Sequence, residues 1–131
     1  MPFRDVYIAK LDAAGAHLWS RSFGDGEADQ GGYSVTSDGA GNVFFSGAMG
    51  GSIDFGQGPH TAAEGPGFVV KLDPSGTTQW SQQLSAPGVR VRSTPAGHLV
   101  VAGGFPVGSN LGSPVATLVG GSRVFLVEYA P

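Results

Sequence analysis

Apolar and polar residues alternate in short runs along most of the chain. From Val6 to Asp12, Tyr7, Ala9 and Leu11 fall on one face and Ile8 and Lys10 on the other. A period of two marks a half-buried β-strand. Phe68, Val70 and Leu72 alternate with Val69 and Lys71 in the same way. Each run leads into an Asp-x-x-Gly stretch, Asp12–Gly15 and Asp73–Gly76. Asp opening and Gly closing four residues suit a type I turn, because the carboxylate caps turn amides and Gly accepts positive φ. Two hairpins are therefore predicted, returning through Leu18–Phe23 and Gln79–Leu84. Tyr33–Ser37 and Asn42–Gly47 flank the Asp38–Gly41 turn and predict a third. Nowhere do apolar residues hold an i, i+3, i+4, i+7 spacing over two turns, so no helix is predicted.

The pattern repeats. Tyr7–Ser20 and Phe68–Ser81 share six of fourteen positions: Lys, Leu, Asp, Gly, Trp and Ser. A third copy opens at Phe125–Tyr129. Val35–Gly47 returns as Val91–Gly103 with five identities in thirteen. Ser52–Gly56 forms a small extra element, with a faint echo at Ser109–Gly112. Trp19 and Trp80 are 61 residues apart, and Gly47 and Gly103 are 56 apart. Repeats at such spacing are supersecondary units that bury their faces against neighbours.

Composition narrows the classes. With 131 residues the chain has the size of one domain. The 23 Gly and 9 Pro fit many short strands and tight turns. Seven Lys and Arg in total, at net charge −3, speak against nucleic acid. The absence of Cys excludes disulfides, thiolate metal sites and a Cys nucleophile. No segment reaches the ~20 apolar residues of a membrane helix. The stretch before Val6 carries no apolar signal region, so either the protein is not exported or Met1 is not the natural start.

The combination of Lys-Leu-Asp-x-x-Gly with Trp at a fixed offset, twice, resembles bacterial β-propeller repeats of the SBBP type. The resemblance covers residues 5 to 129 and is weakest at Arg90–Thr94, where Thr94 replaces the Asp that Asp38 supplies. It implies an all-β fold of propeller blades, each with four antiparallel strands, A innermost to D outermost. It divides the chain into a partial blade at 5–31 (C, D), a complete blade at 32–84 (A–D) and a partial blade at 88–129 (A, B, C). Little more than two blades cannot close a ring. Three readings follow: a piece of a longer propeller, assembly of copies through bare blade faces, or collapse into a two-sheet sandwich.

The same geometry sorts the acids. Asp12, Asp38 and Asp73 lie in tight turns and are read as caps. Asp25, Glu27 and Asp29 lie in a D-to-A loop, and Asp54 and Glu64 in the adjoining B-to-C loop. Loop carboxylates at alternate positions can wrap Ca²⁺, so Asp25, Glu27 and Asp29 are the metal candidates. The plainer reading is three solvated acids. Asp54 and Glu64 are candidates for a ligand rim. His17, His60 and His98 have no ligand spacing. No nucleophile elbow, zinc helix or nucleotide loop occurs. Trp19 and Trp80 suit sugar stacking, but residues repeated in register are more often inter-repeat packing. Arg90 and Arg92 stand where the previous copy has Ser34 and Thr36. Burying two unpaired guanidinium groups is costly, so their face is expected to be exposed or paired.

The function expected is a non-catalytic scaffold or interaction surface, with the resemblance pointing to the cell exterior. The expected partners are other blades, copies of the chain, or a protein or glycan ligand. The alternative is a carbohydrate-active enzyme, or a calcium-dependent glycan-binding module, with its site on the loop rim.

Overall fold

The computed structural model describes residues 2–62 and 65–104, with the backbone of 124–129. Eleven strands and no helix occur among the described residues. β1 (Val6–Leu11) and β2 (His17–Phe23) form a two-stranded sheet. β3 (Gly31–Ser37), β4 (Val43–Ala48), β7 (Gly67–Leu72) and β8 (Thr78–Leu84) form a four-stranded sheet in the order β3-β4-β7-β8. β9 (Arg90–Ser93), β10 (Leu99–Gly104) and β11 (Val124–Tyr129) form a third, in the order β11-β10-β9. All pairings are antiparallel. None of these sheets closes on itself.

The turns form because an aspartate satisfies each one. Asp12 Oδ1 accepts the amides of Ala14 and Ala16 at 2.9 and 2.8 Å. Asp38 Oδ1 does the same for Ala40 and Asn42, both at 2.9 Å. Asp73 Oδ1 takes Ser75 and Thr77 at 2.9 and 3.0 Å. In the turn between β9 and β10, Thr94 Oγ1 accepts the His98 amide at 3.1 Å. The hydroxyl thus covers part of the duty of the missing carboxylate. The repeated sequence also gives a repeated register. Lys10 pairs with Trp19 and Lys71 with Trp80, each followed by a bulge.

The two middle strands of the four-stranded sheet, β4 and β7, are buried on both faces. Phe45, Phe68, Val70 and Leu72 join Val6, Ile8 and Trp19 of the first sheet in one core. Phe44 and Val69 point the other way and join Val91, Leu99 and Val101 of the third sheet. Strand alternation makes two cores from one sheet. The described strands therefore stack as three layers, not as the two-sheet sandwich carried as an alternative. Fully burying a Phe, Leu or Val contributes roughly 1.5–3 kcal/mol, so these two interfaces hold the layers together. Phe45 meets Phe68 edge-on at 5.8 Å and stacks on Phe23 at 5.9 Å.

Gly47 shows how tightly the layers fit. A β-carbon there would lie 1.8 Å from Gly31 O and 2.6 Å from the Phe68 ring. Only Gly leaves that space free.

The extra element is larger than the sequence suggested. The expected strand count omits a hairpin of its own, β5 (Gly51–Asp54) with β6 (Pro59–Ala62). It buries Ile53 and Phe55 in the first core. Gln57 Nε2 donates to Gln79 O at 2.7 Å, and Thr78 Oγ1 donates to Phe55 O. His60 shares a 2.8 Å hydrogen bond with Ser81. The proposed echo at Ser109–Gly112 lies outside the described residues.

Candidate functional site

Antiparallel pairing puts the loop from β2 to β3 and the loop from β4 to β7 at one end of the stack. The turns of Asp12, Asp38 and Asp73 lie at the other end, where a β-carbon on Gly41 would come 3.5 Å from Pro74.

Asp25 is a tie between the two loops. Its Oδ1 accepts the Glu27 amide at 2.9 Å, and its Oδ2 accepts the Ser52 amide at 2.9 Å. The Glu27 and then the Ser52 hydrogen bonds hold its carboxyl below the ordinary carboxylate range. Asp29 Oδ1 accepts the Arg4 amide at 3.1 Å and Arg4 Nε at 3.4 Å, which lowers its pKa too, the amide bond first. Both members of that ion pair are well exposed, so it adds little stability. Glu27 is exposed. Among the described residues no three His, Asp or Glu side chains gather in a metal-sized group.

Asp54 lies at the turn of the β5–β6 hairpin. Its Oδ1 accepts the amides of Gly56 and Gly58 at 2.7 and 3.1 Å. This is the i+2, i+4 pattern of Asp12, Asp38 and Asp73, so Asp54 caps a turn. Asp-Phe-Gly-Gln-Gly carried that signal in the sequence, hidden by one extra residue between Asp and its last Gly. Glu64, the other rim candidate, lies outside the described residues.

Gln30 was missed. It is 3% exposed, and its Nε2 donates to Gly50 O at 3.0 Å, Ser52 O at 3.1 Å and Asp25 Oδ1 at 3.3 Å. The two carbonyls fix the amide's orientation. Its Oε1 borders the space beside Gly24, as the Asp5 carboxylate does, and is buried with no hydrogen-bond donor among the described residues. Beside it lies an open depression of about 470 Å³, lined by Phe3, Arg4, Glu27, Asp29 and Met49 among others. A single polar residue in a Gly-rich loop gave no sequence signal of burial.

The two tryptophans are packing residues. Trp19 is 9% exposed, and its Nε1 donates to Pro74 O at 3.0 Å. Arg21 adds Nε to Gly76 O at 3.0 Å and Nη2 to Ser75 O at 3.1 Å. The Asp73 turn therefore has its amides held by its own aspartate and its carbonyls by the preceding sheet. Trp80 packs on the second core, 6.3 Å from Phe44. Arg90 and Arg92 are exposed, Arg90 lying over the Tyr33 ring at 5.2 Å.

A second candidate surface lies on the first sheet. β1 pairs only with β2 among the described strands, whereas β7, its repeat counterpart, lies between β4 and β8. Tyr7 and Leu11 are 68% and 55% exposed. Phe68 and Leu72, at the matching positions, are wholly buried. Between β1 and β3 run two shallow grooves of about 360 and 400 Å³, reaching Ile8, Trp19, Val35, Val43 and Phe45.

Compared with known proteins, the chain matches no family model and no curated protein. No helix among the described residues is long and apolar enough to cross a membrane.

Proposed function

We propose that the chain is a non-catalytic repeat module of the β-propeller type, of SBBP-like sequence, that serves as a scaffold or interaction surface. In this reading β3-β4-β7-β8 is a complete blade, β1-β2 supplies strands C and D of the preceding one, and β9-β10-β11 supplies A, B and C of the next. One observation carries the proposal: positions buried between sheets in one repeat are exposed in the other. Tyr7 and Leu11 present the face that Phe68 and Leu72 bury. Exposed apolar surface rimmed by a free strand edge is an association site. The partners in this reading are further repeats of the same kind, including those of other copies.

Sedimentation of the chain across a range of concentrations tests the proposal. The weight-average mass should rise with concentration, and Tyr7→Lys with Leu11→Lys should abolish the rise. A chain that stays monomeric at hundreds of micromolar would remove the basis for an association role.

A second reading, a cation on the loop rim, has one observation in its favour. Gln30 Oε1 is buried without a donor among the described residues, and it and the Asp5 carboxylate both border the space beside Gly24. Such a group is met by an ordered water or an ion.

A further inference from the structure

We infer that the Asp5 carboxylate and Gln30 Oε1 share a calcium ion, which clamps the chain entering β1 to the chain entering β3. The inference rests on the cation reading above, and adds the ion, its protein ligands and what its binding does.

The two oxygens are brought together at Gly24. A β-carbon there would come within 2.5 Å of both Asp5 Oδ1 and Gln30 Oε1, so only Gly leaves them room. Gln30 is held by its nitrogen. Nε2 donates to Gly50 O, Ser52 O and Asp25 Oδ1, and exchanging the nitrogen with Oε1 would forfeit all three acceptors. Asp25 is therefore a positioning residue, with its own oxygens already accepting the Glu27 and Ser52 amides. Asp5 Oδ1 has a single long hydrogen bond, from the Gly26 amide at 3.3 Å.

Two observations favour a cation over a plain hydrogen-bond donor. The first is charge. Arg4 is taken by Asp29, and among the described residues neither Asp5 nor Asp25 has a basic partner. A carboxylate and an amide oxygen, both acceptors, thus meet with nothing positive between them. The second is the following repeat, which builds the same junction without them. Matching Tyr7 with Phe68 puts Pro66 at the position of Asp5, and matching Val35 with Val91 puts Ala86 at the position of Gln30. A 2.8 Å backbone hydrogen bond closes each junction, from Gln30 N to Arg4 O in one and from Gly67 N to Ala86 O in the other. Ala86 is wholly buried and apolar. The fold therefore does not require a buried amide here, and an unpartnered one costs stability that a bound ion would offset.

Ligands that are all oxygen select a hard cation. Calcium tolerates irregular geometry and can complete its six to eight oxygens with water on the exposed side of Asp5. Magnesium keeps its waters in a strict octahedron and fits less well. With so few protein ligands, affinity falls at about the millimolar end of the calcium range.

Exchange of the Gln30 amide tests the inference, because that N–H spans the junction. At ten times the half-saturating calcium concentration, read by calorimetry, it should exchange about tenfold more slowly than in chelator. Asp29→Asn should keep the slowing and Asp5→Asn should lose it. Asp5→Asn preserves shape, and its melt in chelator checks that it folds. Slowing that survives Asp5→Asn would overturn the inference and leave a cation elsewhere on the rim. Calcium binding that does not slow Gln30 would overturn the clamp. Equal slowing by magnesium would overturn calcium as the ion. No calcium binding at all would overturn both this inference and the cation reading.

Discussion

The indole of Trp19 lies against Gly76: a β-carbon on that glycine would fall 2.8 to 3.1 Å from three adjoining ring atoms. Gly15, the same position in the first repeat, has nothing within 4 Å. Both glycines have positive φ, +85 and +83. A Gly→Ala change at either site therefore meets the same backbone strain, about 1 kcal/mol. Only at Gly76 does it also collide with the neighbouring sheet. Thermal melts of Gly15→Ala and Gly76→Ala should show clearly greater destabilisation for the second. Equal losses would mean that Trp19 does not clamp this turn.

Trp19→Phe isolates the polar half of that contact. It keeps an aromatic ring but loses the Nε1 bond to Pro74 O. The expected cost is about 1 kcal/mol in denaturant unfolding. A double variant with Gly76→Ala should cost less than the sum of the two, because both act on one contact.

Acid should weaken the turns in a defined window. Hydrogen bonds from the Ser75 side chain and then the Thr77 amide lower the pKa of Asp73. Asp38 is lowered too: desolvation pushes it up, but the Asn42 side chain and amide and the Ala40 amide outweigh that. Asp25 and Asp29 shift in the same direction. A folded pKa below the unfolded value makes the folded state the weaker proton binder. The stability is therefore present in full above the ordinary value of 3.8 and is lost as pH falls through the folded values. Melting temperature should be flat from pH 7 to about 5 and fall below about 4. Asp38→Asn with Asp73→Asn should flatten the acid limb. An unchanged limb would assign acid sensitivity to other groups.

Thr94 offers a gain rather than a loss. Asp38 caps its turn at two amides, and an aspartate at position 94 would face the matching amides of Ala96 and His98. Thr94→Asp should raise stability by roughly 0.5–1 kcal/mol, read as a shift in the unfolding midpoint. A neutral or negative shift would mean that the third sheet's turn differs from the others.

The rim separates two outcomes by titration. If a cation meets Gln30 Oε1 and Asp5, millimolar calcium should raise the melting temperature, and Asp5→Asn should remove the effect. Melting that ignores calcium in both forms would assign the site to water and end the cation reading.

The sequence carried the sheets well, for a physical reason. Strand alternation and Asp-x-x-Gly turns are local signals, and the repeated Lys-Leu-Asp and Trp positions reinforced each other. The β5–β6 hairpin was only half seen, because Pro59–Ala62 has almost no apolar alternation and gains its place from Phe55 and Ile53 beneath it. Asp54 was grouped with the rim because it lies in the loop between β4 and β7, and its turn-capping role was hidden because its last Gly comes one residue later than in Asp-x-x-Gly. Gln30 was invisible because its burial comes from two loops meeting, through Gly50 and Ser52, far along the chain. The exposure of Tyr7 needed coordinates, since alternation shows that a face is apolar but not whether anything covers it.

Amide hydrogen exchange on β1 tests most directly whether the bare repeat face is where another unit docks. In the monomeric Tyr7→Lys, Leu11→Lys chain, amides on the free edge of β1 should exchange fast while those of β7 are protected on both edges. In the unmodified chain at associating concentrations, the β1 edge amides should become protected. Association that leaves the β1 edge exchanging as fast as before would contradict the assignment of this edge as the docking site.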